Sequence, residues 1–573
     1  MQPNHLVWKI SGEAGYGITA AGTIFAKCAS RGGLAVFGHS DIPSRIRGGH
    51  CSFTVRVEPS SVSCQIRPVD LLVALNERAI REHAGELWHG GGIIYDKRLE
   101  LEKLGLRPDL RLYPVPLAQM AELCGEHRVT MNAVALGASI ALLRYDLDIL
   151  KEVFEEHFRA KGRAVIDCNI HAARAGFDYV ARQGYTFDRS LAVIGGPRLL
   201  MDGNEALALG AIAAGCKFHA QYPMTPVSPI LHYMAEKSRD HGIVVVQPED
   251  EIAAINMAIG AGYAGVRSMC ASSGGGFSLM VEGVGLAGES EIPVVIIEGQ
   301  RAGPSTGLPT KTEQGDLRFV LHSSQGEFPK IVLAPGDVAE CFYTIAEAFN
   351  LAERWQCPVF VLVDRYLVES PRTLEEGEID PTRITLDRGK LLVGGVEKDY
   401  LRYALTEDGV SPRTLPGTPG GMHPATADEH DERGQIDESP GTRTAMMNKR
   451  MAKLRHAARE ITGWTLRGDR DAELLLIGWG STKGPIMQAL GWLDREGVRA
   501  GYLQLRCLSP FPDEIATQLA NRTTICIENN YTGQLAGLIK EKTAVAVSHR
   551  LLKYDGQPFF PEEIYDFVRG LRA

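Results

Sequence analysis

Residues 243–272 read IVVVQPEDEIAAINMAIGAGYAGVRSMCAS. In this stretch a short apolar strand, IVVVQP, precedes a helix-forming run of small and apolar residues, and a second strand, VRSMCAS, follows it. The next apolar stretches before residue 375 are IPVVIIEG, KIVLAP and CPVFVLVD. Continuous apolar strands that alternate with helices are typical of a parallel sheet covered on both faces, so this region predicts an α/β domain.

The rest of the chain repeats this alternation on both sides. Near the N-terminus the strand-like stretches are HLVWKIS, SFTVRV, DLLVALN and GGIIYD. Near the C-terminus they are ELLLIGWGST, AGYLQLRCL and TTICIEN. Helical stretches lie between them, and 573 residues are too many for one hydrophobic core. The sequence therefore predicts a multidomain α/β protein.

Changes in composition divide the chain into four parts, with predicted bounds 1–185, 192–375, 376–470 and 471–573. Near residue 202 a new unit begins, where Asp202 or Asn204 could cap a helix. The third part is rich in proline, glycine and charge before a basic helical run, NKRMAKLRHAAREI. It is either a disordered linker or a long ordered loop that crosses a neighbour or a site.

Composition and charge narrow the class of protein. Hydrophobic residues make up 44% of the chain, charged residues 23%, and the formal net charge is -9, which gives no reason to expect nucleic-acid or anionic membrane binding. The opening residues lack the pattern of a signal peptide, and no apolar run is long enough to span a bilayer. We therefore expect a cytoplasmic protein with small-molecule partners.

The eleven cysteines are scattered, and none forms a CxxC pair. Iron–sulfur clusters and structural zinc sites usually draw closely spaced thiolates, so we expect neither in this chain and no metal ligands of its own. The odd count and the scatter also argue against a disulfide framework.

Three polar stretches carry the candidate chemistry. The first, YPMTPVSP at residues 222–229, presents the hydroxyls of Thr225 and Ser228 near a helix start, where they can donate to a carboxylate. An N-capped loop would explain the same pattern. In the second, Glu249, Asp250 and Glu251 open a helix, and capping explains the first two adequately. Glu251 stands first in a nearly apolar helix, so we expect a poorly solvated carboxylate that needs a partner.

The third stretch joins CASSGGGF, beginning at Cys270, with GQRAGPSTGLPTKTEQGDL, beginning at Gly299. Both follow strands, at the sheet edge where open α/β sheets place ligands. Arg301 emerges among Gly, Pro, Ser and Thr, and its guanidinium can hold a carboxylate through two hydrogen bonds. A structural salt bridge is the alternative explanation for Arg301.

Together, YPMTPVSP, PEDEIAAINMAIGAGYAG and GQRAGPSTGLPT, in this order and spacing, resemble the 2-oxoacid:ferredoxin oxidoreductase family over nearly the whole chain. The first part, with GEAGYG, RIRGGH and FTVRV, resembles the family's γ domain. The second resembles its pyrimidine-binding α domain, and the fourth its transketolase C-terminal-like domain. The segment RYALTEDGVSPRTLPG resembles the subgroup in which γ is fused ahead of α.

The resemblance implies roles for individual residues. Thr225, with Ser228 beside it, corresponds to the position that binds the substrate carboxylate, and Arg301 to the arginine that reaches the 2-oxoacid. Glu251, rather than Glu249, corresponds to the glutamate that pairs with the pyrimidine of thiamine diphosphate. Thr225, Glu251 and Arg301 are therefore the expected catalytic residues.

The family comparison also shows what this chain lacks. We find no GDG motif followed by Asn, the usual holder of the diphosphate and Mg²⁺, and no cluster cysteines. In the family both belong to a β subunit, so the resemblance implies a heterodimer or a dimer of heterodimers. That partner would carry Mg²⁺ and a [4Fe-4S] cluster, ferredoxin would accept electrons, and coenzyme A would take the acyl group.

The glycine turn at residues 12–17, GEAGYG, departs from GxGxxG in spacing, so a dinucleotide site is weakly supported. A tight strand–helix turn explains it equally well. A sharper hypothesis is that this turn and the RIRGGH stretch approach the phosphates of coenzyme A. The candidate contacts are Gly15, Tyr16, Gly17, Arg45, Arg47, Gly48 and Gly49.

We expect 2-oxoglutarate as the substrate, converted reversibly to succinyl-CoA, because the fused γ–α arrangement resembles that subgroup. Branched-chain 2-oxoacids such as 2-oxoisovalerate are the close alternative. A transketolase-like thiamine enzyme is a further alternative, which co-purification of an iron–sulfur partner would exclude. A non-catalytic nucleotide-binding protein is another, which retained oxidoreductase activity after substitution of Glu251 and Arg301 would favour.

Overall fold

The computed structural model describes residues 3–44, 48–122, 130–397 and 399–572. The chain forms two compact units, each with its own sheet-based core. The first unit comprises Met1–Asp202, Glu369–Glu378 and Phe560–Glu563, and the second comprises Gly203–Val368, Ile379–Phe559 and Ile564–Ala573. The bounds of the four parts named above stay a prediction.

Helices and strands alternate along the whole chain. Up to residue 202 they are β1 (Leu6–Glu13), α1 (Ile18–Arg31), β2 (Ala35–Asp41), β3 (His50–Glu58), β4 (Val69–Ala74), α2 (Glu77–His83), β5 (Leu87–Asp96), β6 (Arg111–Val115), α3 (Leu117–Glu122), α4 (Thr130–Leu142), α5 (Leu147–His157), α6 (Arg163–Gln183) and β7 (Leu199–Met201). From there to residue 378 they are α7 (Gly203–Ala213), β8 (Phe218–Ala220), α8 (Ser228–His241), β9 (Val244–Val246), α9 (Glu251–Tyr263), β10 (Ser268–Ser272), α10 (Gly274–Glu289), β11 (Val294–Gln300), α11 (Leu317–Leu321), β12 (Ile331–Leu333), α12 (Val338–Trp355), β13 (Pro358–Asp364), α13 (Arg365–Val368) and β14 (Arg372–Leu374). The remaining elements are α14 (Pro440–Glu460), β15 (Trp464–Gly468), β16 (Leu474–Trp479), α15 (Lys483–Arg495), β17 (Ala500–Leu505), β18 (Cys507–Ser509), α16 (Ile515–Leu519), β19 (Thr523–Glu528), α17 (Gln534–Thr543), β20 (His549–Leu552) and α18 (Pro561–Gly570).

The first unit is built on an eight-stranded mixed sheet in the order β6-β5-β4-β1-β3-β2-β14-β7. Strands β1, β4, β5 and β6 run parallel, and β3 pairs with β1 in the antiparallel sense. The apolar side chains of β1, among them Trp8 and Ile10, are fully buried. Helix α1 packs on this sheet, and Phe25 stacks on Trp8 with ring centroids 4.3 Å apart.

The second unit contains two sheets. The seven-stranded sheet has the order β18-β12-β13-β11-β10-β8-β9, and all neighbours pair in parallel except β12 and β18. The five-stranded sheet has the order β15-β17-β16-β19-β20. Every apolar stretch that the sequence predicted as a strand between residues 243 and 364 contains one, and the α/β class is confirmed.

Polar side chains at the helix starts serve different purposes. Asp250 caps α9, because its carboxylate accepts a hydrogen bond from the N–H of Ala253 at 2.8 Å. The proposed cap Asn204 instead lies inside α7, where its amide donates to the carbonyls of Pro226 at 3.1 Å and Val368 at 3.0 Å. Capping by Asn204 was therefore wrong, since this fully buried amide ties the helix to two neighbouring segments.

The irregular third part of the chain packs closely in the described residues. Tyr403 and His430 are buried, and the carboxylate of Glu429 receives two hydrogen bonds from Arg450, at 2.9 and 2.7 Å. Helix α14, the basic run of the sequence, sends Lys449 and Lys453 to the fully buried carboxylate of Glu291. An ordered loop, one of the two interpretations left open, therefore describes this segment.

We expect Glu291→Gln to destabilise this packing by about 3–5 kcal/mol, because breaking a buried ion pair leaves uncompensated charge. Thermal unfolding and limited proteolysis of residues 379–439 measure the loss. The matched control is Glu541→Gln: the Glu541 side chain is 44% exposed and pairs with Arg318, so we expect at most about 1 kcal/mol. Equal losses in the two variants would contradict the prediction.

Among the described residues, no helix is both long and apolar enough to cross a membrane.

Candidate functional site

The loop between β8 and α8 meets the loop after β11. Arg301 Nη1 donates a hydrogen bond to the backbone carbonyl of Thr225 at 3.1 Å, although the two residues are 76 positions apart. In the described part of the chain, the Arg301 guanidinium makes no ion pair with a carboxylate. Ser228 begins α8, and its side chain is half-buried. The structure thus brings Thr225 and Arg301 together, through a carbonyl that sequence patterns do not reveal.

A buried polar chain holds the Thr225 loop in place. His219 Nε2 contacts Gln221 Oε1 at 2.9 Å, and Gln221 Nε2 donates to the carbonyl of Val227 at 3.0 Å. Asn204 fixes the same loop through the Pro226 carbonyl. Because His219 and Gln221 are fully buried, the loop is positioned by groups with little freedom to move.

Burial lowers the pKa of His219 from 6.5 to about 4. Between these two pH values His219 is protonated in the unfolded chain but stays neutral in the folded chain. The free energy of unfolding therefore decreases as the pH is lowered, by about 2 kcal/mol between pH 6.5 and 5. We expect the melting temperature to fall less between pH 7 and 5 in His219→Gln than in the unmodified chain. The control is exposed His232→Gln, and an identical pH dependence in all three proteins would refute the prediction.

Glu251 lies at the first position of α9 and is 3% exposed. Its carboxylate oxygen Oε1 lies 3.5 Å from the hydroxyl of Ser272. A Cβ added at Gly276 would lie 2.2 Å from the same oxygen, so only glycine leaves room for this carboxylate. A buried carboxylate in such a cradle fits a protonated ring nitrogen, as the pyrimidine of thiamine diphosphate would supply.

Two acids beside Arg301 did not emerge from the sequence analysis. Glu298 on β11 is fully buried, and Asp316, just before α11, lies next to it. A Cβ at Gly274 would lie 2.7 Å from Asp316 Oδ2, so the Asp316 carboxylate sits against the start of α10. The signal available in the sequence was a single acid within the otherwise apolar strand VVIIEGQ.

Gln314 anchors the loop that carries Arg301. Its side-chain amide donates to the carbonyl of Trp479 at 3.0 Å, and its Oε1 accepts from the N–H of Asn529 at 3.1 Å. The amide of Asn530 donates to the Gln314 carbonyl at 3.1 Å. The loop after β19, which carries Asn529 and Asn530, therefore helps to hold the Arg301 loop in place.

In the first unit the glycine turn contacts Gly49, one of the described residues of the RIRGGH stretch. The N–H of Ala14 donates to the carbonyl of Gly49 at 2.8 Å. Gly15 and Gly17 have φ of 96° and 77°, and Gly17 precedes α1 without a side-chain cap. A Cβ at Gly15 or Gly48 would meet nothing within 4 Å, which leaves open space beside the turn.

The remaining members of the predicted coenzyme A set are less accessible or fall outside the description. Tyr16 is half-buried, and its carbonyl accepts a hydrogen bond from Asn132 at 2.5 Å. Arg45 and Arg47 lie outside the described residues.

Three family models match successive parts of the chain. Residues 7–179 match "Pyruvate ferredoxin/flavodoxin oxidoreductase". Residues 209–449 match the thiamine diphosphate-binding domain of pyruvate flavodoxin/ferredoxin oxidoreductase, and residues 472–564 match core domain II of pyruvate:ferredoxin oxidoreductase. The candidate residues Thr225, Glu251 and Arg301 all fall within the second match.

Full-length relatives agree with these matches. The chain is 35% identical to the 2-oxoacid:ferredoxin oxidoreductase subunit alpha of Sulfolobus sp., covering 98% of this chain and 96% of the relative. It is 30% identical to the 2-oxoglutarate oxidoreductase subunit KorA of Mycobacterium tuberculosis, covering 99% and 92%.

A solved structure gives the same answer. The 2-oxoglutarate:ferredoxin oxidoreductase from Magnetococcus marinus, with 2-oxoglutarate, coenzyme A and succinyl-CoA bound, matches with a TM-score of 0.92 and 34% identity, over 99% of this chain and 100% of that chain. The family resemblance drawn from the three polar stretches is thereby confirmed. The chain belongs to the 2-oxoacid:ferredoxin oxidoreductase family and is an alpha subunit of a multi-subunit oxidoreductase.

Proposed function

We propose that this subunit binds the 2-oxoacid and the pyrimidine of thiamine diphosphate in an enzyme that oxidatively decarboxylates 2-oxoglutarate to succinyl-CoA and reduces ferredoxin. The observation that carries the proposal is the contact between Arg301 and the Thr225 carbonyl. It holds a partly exposed guanidinium, free of carboxylate ion pairs among the described residues, where a substrate carboxylate would be bound. Thr225 and Ser228 would add hydroxyl donors from the facing loop.

Arg301 suits this role electrostatically. Burial lowers its pKa, while the neighbouring acids Asp316 and Glu298 oppose that shift and keep the guanidinium ionised. A partly desolvated cation attracts an anion more strongly than a fully hydrated one does. A carboxylate substrate would therefore gain both charge and directional hydrogen bonds at this position.

Glu251 would hold the pyrimidine ring of thiamine diphosphate. Its carboxylate can accept a hydrogen bond from a ring nitrogen and keep a proton there, while Gly276 leaves the space that this contact needs. When bound, the cofactor supplies the electron sink for decarboxylation. The residues of this chain contribute orientation, exclusion of water and a fixed proton position.

Other parts of the enzyme would come from a β subunit that holds Mg²⁺, the cofactor diphosphate and a [4Fe-4S] cluster. The packed helices α9 and α10 support such a partner, because Ile252, Met257 and Leu279 on them are 49%, 40% and 48% exposed. Apolar side chains next to the Glu251 site fit a protein surface that covers it. A dimer of heterodimers is the assembly we propose.

Coenzyme A would approach the glycine turn of the first unit. The open space at Gly15 and Gly48, the uncapped start of α1 after Gly17, and neighbouring Gly49 support phosphate contacts by backbone N–H groups. Tyr16, Arg45 and Arg47 complete the proposed set. The solved structure of the Magnetococcus marinus enzyme, which has coenzyme A and 2-oxoglutarate bound, supports both the co-substrate and the choice of 2-oxoacid.

The test is co-expression with a candidate β subunit, followed by ferredoxin or viologen reduction with coenzyme A and one 2-oxoacid at a time. We expect the highest kcat/KM with 2-oxoglutarate and formation of succinyl-CoA. Preference for 2-oxoisovalerate would replace the proposed substrate by a branched-chain 2-oxoacid. Absence of any 2-oxoacid oxidation by an assembled, cluster-bearing complex would overturn the proposal.

A further inference from the structure

The two acids next to Arg301 form a pair in which the Glu298 carboxyl has no hydrogen-bond partner among the described residues. Glu298 lies two residues before the end of β11 and is 0% exposed, and Asp316 approaches it from the residue just before α11. Among the described residues, neither Glu298 Oε1 nor Oε2 receives a hydrogen bond from a donor group. The N–H of Asp316 donates to Gln300 Oε1 at 3.1 Å and is therefore unavailable to Glu298.

Hydrogen-bond chemistry limits what this arrangement can be. Ionised carboxylates only accept hydrogen bonds, so two of them in contact would leave their facing oxygens without a donor. Leaving such a charge buried and unpaired is costly. A single proton on the pair removes the difficulty, because one acid then donates to the other, as in other carboxyl pairs that share a site.

Burial and the proximity of the two acids favour retention of that proton. Burial, followed by the neighbouring Asp316, raises the pKa of Glu298 well above its ordinary value, and Arg301 opposes this shift. Burial also raises the pKa of Asp316, against the hydrogen bond from Glu298 and the charge of Arg301.

Three further carboxyls lie on the loop and strands next to the pair. Glu313 is on the same loop, where burial, followed by the charge of Asp316, raises its pKa. Asp364 of β13 pairs with Gln300, two residues after Glu298. Glu251 lies 3.5 Å from the hydroxyl of Ser272, the residue that pairs with Glu298. Among the described residues, Arg301 is the cation whose charge opposes the raised pKa of both Glu298 and Asp316.

We propose that Glu298 and Asp316 share one proton, with Glu298 as donor, and that this singly ionised pair positions Arg301 and balances its charge for a 2-oxoacid. This inference rests on the proposed function of Arg301. With one proton, the pair and the guanidinium together are neutral, so an incoming carboxylate meets a directed cation without net repulsion. With the proton lost, a second negative charge competes with the substrate for Arg301. Glu298 and Asp316 are positioning residues, because they act on the substrate through Arg301.

The first consequence is spectroscopic and does not depend on activity. In the assembled complex at neutral pH, infrared spectra should contain the carbonyl stretch of a buried, protonated carboxylic acid. We expect Glu298→Gln to remove this absorption and the exposed control Glu282→Gln to retain it. Melting temperatures of both variants show whether they are folded, and Asp316→Asn provides a second route if Glu298→Gln does not fold.

The second consequence is a pH dependence of substrate binding. We expect the KM for the 2-oxoacid to rise above the pKa of the pair, by up to about tenfold for each pH unit. Glu298→Gln keeps a hydrogen-bond donor towards Asp316 but cannot lose a proton, so its KM should stay level over the same range, with kcat much less affected. Glu282→Gln should follow the unmodified enzyme.

The two measurements separate this inference from the proposed function. If the acid absorption is equally strong in the unmodified complex and in both pair variants, the shared proton is disproved whatever the activity. If Glu298→Gln shows the same rise of KM as the unmodified enzyme, the link to Arg301 is disproved. If the absorption behaves as expected but no 2-oxoacid is oxidised, the proposed function fails while the proton pair stands.

Discussion

Replacing Glu251 by Gln should reduce 2-oxoacid oxidation by the assembled complex by about 10²–10⁴-fold, the range typical of a removed acid–base group. The substitution keeps the size and shape of the side chain and removes only its negative charge. In the proposed contact with the pyrimidine, an amide could not hold a proton on the ring nitrogen as a carboxylate would. Glu251 is 3% exposed and lies in a cradle that depends on Gly276, so packing fixes the position of its carboxylate.

The matched control is Glu249→Gln, two residues earlier. Glu249 is exposed, and the sequence alone placed it in the same acidic cluster. Steady-state ferredoxin or viologen reduction at saturating thiamine diphosphate measures both variants, and gel filtration with the partner shows whether each one assembles. Comparable activity losses in Glu249→Gln and Glu251→Gln would contradict the assignment of Glu251.

The sequence was sufficient to predict the parallel sheet and the position of Glu251. Strands such as β11 and β13 are mostly apolar because both faces of the sheet are covered. Such a run of apolar residues can be recognised directly in the sequence. The burial of the Glu251 carboxylate could be predicted because this residue opens a helix of small residues. Both are local signals, and the structure preserves them.

Contacts between distant segments could not be predicted from the sequence. Asn204 has the residue type of a helix cap, but its partners are carbonyls 22 and 164 residues away. The basic residues of α14 suggest a helix face exposed to solvent. In the structure, however, Lys449 pairs with Glu291, which is 158 residues away in sequence. Such pairings depend on how loops cross the sheet edge, and residue type and spacing do not encode that path.

The candidate site shows the same limit in its polar groups. Thr225 was expected to act through its hydroxyl, yet the contact that joins it to Arg301 uses its backbone carbonyl. Every residue except proline carries the same backbone groups, so sequence patterns cannot distinguish this carbonyl from its neighbours. Glu298 and Asp316 were missed because they come together only when the chain folds.

Replacing Arg301 by Lys should lower kcat/KM for the 2-oxoacid by about 10²-fold or more, which corresponds to loss of about 2–5 kcal/mol when one partner of a desolvated charge pair is altered. Lysine keeps the charge but has no planar fork, so it cannot bind a carboxylate through two parallel hydrogen bonds or reach the Thr225 carbonyl in the same way. We expect the loss to fall mainly on KM if the ground-state carboxylate is bound as tightly as the transition state.

The matched control for Arg301→Lys is Arg318→Lys, the same chemical change in α11. Arg318 pairs with the partly exposed Glu541, so its ion pair should contribute little to activity or stability. Initial rates over a range of 2-oxoacid concentrations, with the complex checked for assembly, give KM and kcat for both variants. Because the two substitutions remove the same atoms, a difference between them reports the position of the guanidinium and not the chemistry of arginine. Unchanged KM and kcat in an assembled Arg301→Lys complex would place the substrate carboxylate elsewhere and leave the contact with Thr225 as a purely structural one.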